Sequence, residues 1–346
     1  MSATELTPIG VEPTVVDMMS AVFADYRDTH PPAAGRAERD PGLWRTLDDL
    51  GLVRLTGAES AGGSGAGWYE AAELLAAAVR HGVRIPLAEH DLLACWLLDI
   101  NDVPCDGAVR TVAMLDAQGA ATAVPWAAGA EQIVLVWPSA DEYLVADADP
   151  DALQITPGTN MIGEPRDTVT ADLAALRGVP VPAERVGELR NKAALVRAIQ
   201  VCAALDRILA LSIEHTTSRI QFGRPLSKFQ TVQNLISDIA GEAALARSAT
   251  EAALISAVDS DWSADSLDFL VAVARSCAGH AASVVVRNAH QVHGAIGTTR
   301  EHRLHEFTRP ALVWRSEFGS VQDWDEAVTD AALQAGAAGL WALVTR

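Results

Sequence analysis

Cysteine is scarce in this sequence and nowhere paired: Cys95, Cys105, Cys202 and Cys277 are scattered without a Cys-x-x-Cys spacing. At least two of them sit in helical apolar patterns, where a free thiol behaves as a small hydrophobe, so neither a disulfide nor a zinc site is expected. Net positive charge is lacking as well. With 26 Lys+Arg against 45 Asp+Glu, the formal charge is −19 and the isoelectric point is about 4.8. Phosphate backbones and anionic membrane surfaces are repelled by such a chain over a Debye length, which argues against nucleic acid as a partner. No apolar run reaches the roughly 18 residues that span a bilayer, and no basic start, apolar run and small-residue cleavage site open the chain. The expectation is a cytoplasmic protein with no membrane partner. What is abundant is apolar content, 49% of 346 residues, enough to bury a sizeable core in one to three domains.

From about residue 11 to 105 the apolar residues recur with helical spacing. Val15, Val16, Met19, Val22 and Phe23 form one stripe and Trp44, Leu47 and Leu50 another, separated by the polar, Pro-containing stretch from His30 to Pro41. Glu70 to Arg80 and Leu87 to Leu98 read as further helices, the second opened by Pro86. Gly62, Gly63 and Gly65 read as a flexible turn, since neither a strand-loop-helix context nor a P-loop Lys accompanies them. Between about 106 and 187 the period shortens. Arg110–Met114, Gln132–Trp137, Tyr143–Ala146, Leu153–Ile155 and Asp167–Ala171 are β-prone runs broken by Gly, Pro, Asp and Ser. From Glu188 the pattern is helical again: Ala193–Ser218, Thr231 to about Val258, Ala264–Ala289, and a last pair from Arg300 onward. Four antiparallel helices would bury these stripes as a bundle. The expected fold class is therefore α+β, mainly α, with an N-terminal all-α domain at 1–105, a small middle β domain at 106–187 and a C-terminal helical bundle at 188–346.

The stretch from Arg219 to Gln233 interrupts two long helical patterns, with Leu205, Ile208 and Leu209 before it and Val232, Leu235, Ile236 and Ile239 after. Gly223 is expected to close the first helix in a left-handed cap, and Pro225 forbids its continuation. A lone Arg219 there would gain only a few tenths of a kcal/mol from the helix macrodipole. It is accompanied by Gln221, Phe222, Gly223 and Pro225, then by Phe229, Gln230, Val232 and Gln233.

That set resembles the signature of the acyl-CoA dehydrogenase family, Arg-x-Gln-Phe-Gly-x-Pro followed by Phe-Gln-x-Val-Gln. Trp44, Leu47, Gly51, Leu52, Gly62, Gly63 and Gly65 resemble the family's N-terminal Trp-x-x-Leu-x-x-x-Gly-Leu segment and its Gly-Gly-x-Gly turn. Gln291-Val292-His293-Gly294-Ala295-Ile296-Gly297 resembles a second signature, Gln-x-His-Gly-Gly-x-Gly, with Ala295 in place of its second Gly. The resemblance implies an acyl-CoA dehydrogenase-like fold and a flavin adenine dinucleotide, FAD, shared across a subunit interface. Arg219, Gln221, Phe222, Gln291, Gly294 and Gly297 would contact the flavin seated in the neighbouring chain. The family's middle-domain Glu-Pro-x-x-Gly-Ser loop is not found; Val124 to Ala130 stands in its place, and Glu164-Pro165 has no Gly-Ser partner. His290 with His293, and His302 with His305, share helical faces as metal ligands do, but with no third ligand set nearby no metal is expected.

The family reaction needs a carboxylate to remove a proton alpha to a CoA thioester. By resemblance its loop seat, the Glu of Tyr-Glu-Gly-Thr, falls on Phe318 within Glu317-Phe318-Gly319-Ser320. Its helical seat, 26 positions before the signature Arg, falls on Ala193. Both seats lack a carboxylate, leaving Glu317, one place early, as a candidate base or else a solvated loop carboxylate. A full set for reaching into a neighbour's flavin, a reduced middle domain and empty base seats describe half a site. The resemblance is to short actinobacterial-type members, in particular the non-catalytic subunit of α2β2 enzymes that shorten steroid side chains. It implies desaturation of a CoA thioester, possibly of a sterol or other bulky acid, beside a catalytic acyl-CoA dehydrogenase subunit and with an electron-transfer flavoprotein as acceptor. Two alternatives remain open: a self-sufficient homotetramer using Glu317, and a structural paralogue binding neither flavin nor acyl-CoA.

Overall fold

A computed structural model describes residues 10–31, 35–140 and 142–345. The described residues fall into two compact units that divide between Lys192 and Ala193.

In the first unit, α1 (Pro13–Thr29) and α2 (Pro41–Asp49) both open on proline, whose missing N–H costs nothing in a first turn. Asp40 caps α2, its carboxylate accepting from Gly42 N at 2.7 Å and Leu43 N at 2.8 Å. α3 (Trp68–Arg80) is fixed by Glu70, which accepts from Gly67 N at 3.0 Å. The expected helix over Leu87–Leu98 is a π-helical segment, Ala88–Cys95, running into the short α4 (Trp96–Asp99). Its wider turn buries Glu89, His90 and Asp91 together with the leucines, and Asp91 is satisfied by Thr56 N at 2.9 Å and Thr56 Oγ1 at 3.0 Å.

The strands form two sheets. β1 (Arg110–Met114), β3 (Gln132–Ser139), β4 (Glu142–Ala148) and β7 (Val179–Val181) stand in the order β1-β3-β4-β7, with β1 and β3 parallel and the rest antiparallel. β2 (Ala120–Pro125), β6 (Arg166–Thr170) and β5 (Gln154–Thr156) form an antiparallel three-stranded sheet. Alternate residues of both sheets, among them Ala113, Leu115, Val124, Ile133, Leu135, Trp137 and Val169, meet in one core. Two strands escape sequence periodicity. β2 is alanine-rich and its register shifts between Ala121 and Val124, whereas β7 is three residues around Pro180, an edge position where a missing N–H is harmless.

Helix α5 (Ala183–Ser218) contains the division between the units. The second unit continues with a small hairpin of β8 (Ile220–Gln221) and β9 (Arg224–Pro225), then α6 (Gln230–Asp259), α7 (Leu267–His293), α8 (His305–Trp314) and α9 (Val321–Thr345). α7 packs against α6, α8 and α9. α6 buries one stripe, Ile239, Ala243, Ala246, Thr250, Ala253, Leu254 and Ala257, the narrow alanine-rich seam of close helix packing. α7 and α9 each hold an 18-residue window apolar enough, with at most two charges, to match a membrane span in length and composition. This amends the expectation that no apolar stretch is so long. α7 is explained by burial in the helical core, while α9, kinked at Gly336, has no buried residue and exposes Leu333, Leu340, Trp341 and Val344.

Candidate functional site

The elbow differs in detail from its sequence expectation. Gly223 does not cap the first helix: α5 ends at Ser218, and Gly223 lies in the hairpin turn between β8 and β9. Phe222 (φ +51°) and Gly223 (φ +78°) are the two central residues of that turn, whose left-handed pair matches the right-handed twist of the strands. Arg219 accepts from Leu226 N at 2.9 Å and donates its own N–H to His215 O at 2.9 Å, so its backbone closes the hairpin while its side chain is exposed. Gln221 is exposed beside it. Phe222 is 90% exposed. A left-handed non-glycine residue costs roughly 1–2 kcal/mol, and an exposed phenyl ring returns none of it through burial. Burial gives no reason for an aromatic there. The ring meets Phe229 edge-on at 6.2 Å, and Arg224 stacks over Phe229 at 4.2 Å, which stiffens the base of the turn.

The second motif forms the end of α7. Gln291 is exposed in the last turn, and Gly294 follows with φ +64° and ψ −144°, a conformation that essentially only glycine adopts. A Cβ on Gly294 would meet nothing within 4 Å, so the open space beside it is available to a ligand. Gly297 is different. It is buried, and a Cβ there would lie 2.7 Å from the His293 Cβ, so internal packing already demands glycine.

The structure joins the two motifs through a residue that sequence reading overlooked. His215, one turn before Arg219, stacks on His293 with ring centroids 4.6 Å apart, and His302 meets His293 edge-on at 4.6 Å. Helical spacing places His215 on the face of α5 that leads into the signature Arg, a signal the sequence did contain. The pairs His290/His293 and His302/His305 are thus not the unit; one nitrogen from each of His215, His293 and His302 lies within 4.8 Å of the others. His293 Nδ1 donates to Ala289 O at 2.7 Å, leaving a buried Nε2 without a hydrogen-bond partner. Leu304 N donates to His302 Nδ1 at 3.1 Å, which puts that ring's proton on Nε2, pointing to hydrogen bonding rather than ligation. Burial pushes all three rings below the ordinary histidine value, His293 to about 4, so the cluster is neutral at pH 7.

Arg197 lies one helical turn from one expected base seat and touches the other. Ala193 is buried on α5 one turn before Arg197. Arg197, 1% exposed, donates through Nε to Glu317 Oε2 at 2.8 Å, and the Glu317 side chain is 15% exposed. Glu317 is therefore a half-buried ion-pair partner rather than a solvated loop carboxylate. Phe318, at φ +54°, turns its ring onto the Arg197 guanidinium at 5.0 Å. Arg275, also buried, donates through Nη2 to the carbonyl oxygens of Glu317 at 2.7 Å and Arg315 at 3.1 Å. Burial and then Arg197 push Arg275 down to about 9, with Glu317 opposing them. Neither Arg197 nor Arg275 was singled out in the sequence, where a buried guanidinium looks like any other.

In the other unit, the loop at Val124–Ala130 folds inward. Trp126 is buried at φ +61°, and the Ala128 N–H donates to Asp167 Oδ2 at 2.8 Å. Asp167, fully buried, also accepts from Gly158 N at 3.0 Å and pairs with Arg36 at 2.8 Å. Glu164 is likewise committed, pairing with Arg166 at 3.0 Å.

The acyl-CoA dehydrogenase C-terminal domain model matches residues 185–322. Acyl-CoA dehydrogenase IpdE2 of Mycolicibacterium smegmatis is 28% identical over 277 residues, spanning 79% of this chain and 82% of its own length. Among solved structures, the ChsE4–ChsE5 complex from Mycobacterium tuberculosis superposes with a TM-score of 0.79 at 20% identity, covering 94% of this chain and 99% of that one. The Tcur3481–Tcur3483 steroid ACAD does so with a TM-score of 0.80 at 20% identity, covering 94% and 98%. The folds agree along nearly the whole chain, and residues 185–322, which hold the elbow and the second motif, form an acyl-CoA dehydrogenase C-terminal domain.

Proposed function

We propose that this chain is the non-catalytic subunit of a heteromeric acyl-CoA dehydrogenase, completing the FAD site of a catalytic partner in an α2β2 assembly. The single observation that carries the reading is the state of the base seat. Glu317 is tied to the buried Arg197 at 2.8 Å while Phe318 and Ala193 fill the positions where a carboxylate is needed. A general base must reach the proton it removes, and the Glu317 carboxylate is already engaged by a buried guanidinium at 2.8 Å.

The residues present fit the reaching half of a flavin site. Arg219 supplies a permanent cation for a pyrophosphate, Gln221 and Gln291 supply amide groups, Phe222 supplies an exposed ring for a planar system, and Gly294 leaves room for close approach. Gly297 would support that turn from behind. A bound flavin would supply the acceptor for the hydride lost from the beta carbon. The loop at Val124–Ala130 fits the holding half poorly, because the Ala128 N–H is already spent on Asp167. The catalytic partner would then provide the cradle and the base. A CoA thioester of a sterol or similarly bulky acid is the proposed substrate class, by analogy with the names of the relatives, with an electron-transfer flavoprotein taking the electrons.

The test is expression of the chain alone and together with an acyl-CoA dehydrogenase encoded beside it, measuring bound flavin and thioester oxidation each time. One flavin per pair of chains, lost in Arg219→Ala, is the expected result. Full flavin occupancy and turnover by the chain alone, abolished in Glu317→Gln, would establish the self-sufficient homotetramer instead.

A further inference from the structure

The thiols that looked scattered in the sequence include a close pair. Cys95 closes the π-helical segment and is fully buried, whereas Cys105 lies ten residues on, partly exposed in the loop before β1. Their sulfur atoms are 3.3 Å apart, and Arg54 Nη1 donates to Cys105 Sγ at 2.8 Å. Arg54 is itself anchored by Asp99 at 2.8 Å, so the guanidinium is fixed against the outer sulfur. His90 lies 3.6 Å from Cys95 Sγ, but its Nδ1 already accepts from Arg110 N at 3.0 Å, and burial pushes the ring down to about 3. The imidazole therefore contributes no positive charge near pH 7.

We propose that Cys95 and Cys105 form a peroxide-responsive dithiol, with Cys105 the attacking and Cys95 the resolving sulfur. The Cys105 thiolate attacks one oxygen of a hydroperoxide and breaks the O–O bond, giving the sulfenic acid and, after protonation of the leaving oxygen, water or an alcohol. The Cys95 sulfur then displaces hydroxide from the sulfenic sulfur, its proton leaving with that hydroxide as water, and one disulfide remains. The two thiols are oxidised by two electrons and the hydroperoxide is reduced by two.

Three features separate this pair from ordinary thiols. The hydrogen bond from Cys95, then the Arg110 and Arg54 charges, hold the Cys105 thiol at about 7 against the opposing effect of burial. Cys95 is pushed well above the ordinary range by the same hydrogen bond and by its burial, so it stays protonated until the sulfenic acid forms. Closing the sulfurs to a bond of about 2.05 Å takes little more than an ångström of movement, within reach of a side-chain rotation beside a partly exposed loop. Neither Cys202, buried against Thr250, nor Cys277 has a second thiol among its described contacts.

A thiol near 7 is about half ionised at neutral pH against roughly 3% for an ordinary one. The lower nucleophilicity of a weaker base offsets much of that gain, leaving a reaction roughly threefold faster than a free thiol. The experiment treats the purified full-length chain with one equivalent of hydrogen peroxide at pH 7. Expected are loss of two titratable thiols, a mass lower by two hydrogens, and a mapped Cys95–Cys105 cross-link reversed by dithiothreitol. Cys95→Ser should instead accumulate a dimedone-trappable sulfenic acid on Cys105, and Arg54→Lys should slow the wild-type reaction. The proposal is overturned if the wild-type chain loses thiols no faster than Cys105→Ser, or if the cross-link maps elsewhere. It stands apart from the flavin reading, since no step of it uses flavin or acyl-CoA.

Discussion

Replacing Glu317 by Gln separates a structural carboxylate from a catalytic one. Arg197 and Arg275 are both about 1% exposed, and the Glu317 carboxylate lies 2.8 Å from the first while its backbone carbonyl receives the second. The amide keeps the shape and one acceptor for Arg197 Nε but removes the negative charge facing two buried guanidinium groups. Removing one partner of a buried pair costs about 3–5 kcal/mol. The partial exposure of Glu317 and the retained hydrogen bond lower this to about 2–3 kcal/mol. For a chain of 346 residues each kcal/mol moves the midpoint by about 1–2 °C, so Glu317→Gln should unfold roughly 2–6 °C below the wild type in scanning calorimetry. Arg197→Met should cost a similar amount, and the double variant should cost less than the sum, with a coupling of about 1–3 kcal/mol. In the assembled enzyme, thioester oxidation should persist in Glu317→Gln below its unfolding temperature. An unchanged midpoint together with abolished oxidation would refute the reasoning, because it would show a carboxylate free of Arg197 and used in the reaction.

Arg219→Ala and Phe222→Ala remove exposed side chains and should each change stability by no more than about 0.5 kcal/mol, yet flavin retained by the assembled enzyme after gel filtration should fall in both. Gly294→Ala meets no atom within 4 Å but must hold φ +64° and ψ −144°, so its urea midpoint should drop by an amount equivalent to about 1–3 kcal/mol. The pH dependence has a definite sign. Burial holds His293 neutral down to about 4, while the unfolded chain takes up that proton near 6.5. The stabilisation is complete above pH 6.5 and is lost as pH falls from 6.5 towards 4, with a slope of at most ~1.4 kcal/mol per pH unit. Urea unfolding at pH 7.5 and pH 5 should therefore differ more for the wild type than for His293→Gln, and equal differences would contradict it.

The helices and most strands were legible because their apolar spacing is set by burial on one side. β2 was not, because Ala120 to Pro125 is poor in β-branched residues and its pairing shifts midway. The elbow's residues were legible as a set, but its geometry was not: Gly223 suits a helix cap and a hairpin turn equally, and only the pairing of Gln221 with Arg224 decides between them. That the expected base seats, Phe318 and Ala193, carry no carboxylate could be read directly from the sequence. That Glu317 is held by a buried Arg197, 120 positions away, could not, since burial of a charge is a property of the fold and not of its neighbours in sequence.

His215 changes what the two signatures mean together. It precedes Arg219 by one helical turn, and His293 precedes Gly294 by one residue, so their stacking at 4.6 Å fixes the elbow and the glycine turn relative to each other from within one chain. Were two of these rings charged, their repulsion at that separation would be roughly 4 kcal/mol at an effective dielectric constant of 20, so the fixed spacing depends on the neutrality that burial imposes. The exposed Phe222 and the open face of Gly294 are then held in position before any ligand arrives. A surface already in its bound shape loses little conformational entropy on binding, which allows a few exposed groups to contribute usefully to a flavin held elsewhere. Among the described residues the strain at Phe222 is met only by the edge-on contact with Phe229, and the space beside Gly294 is open. They make physical sense if the return comes from a partner's flavin.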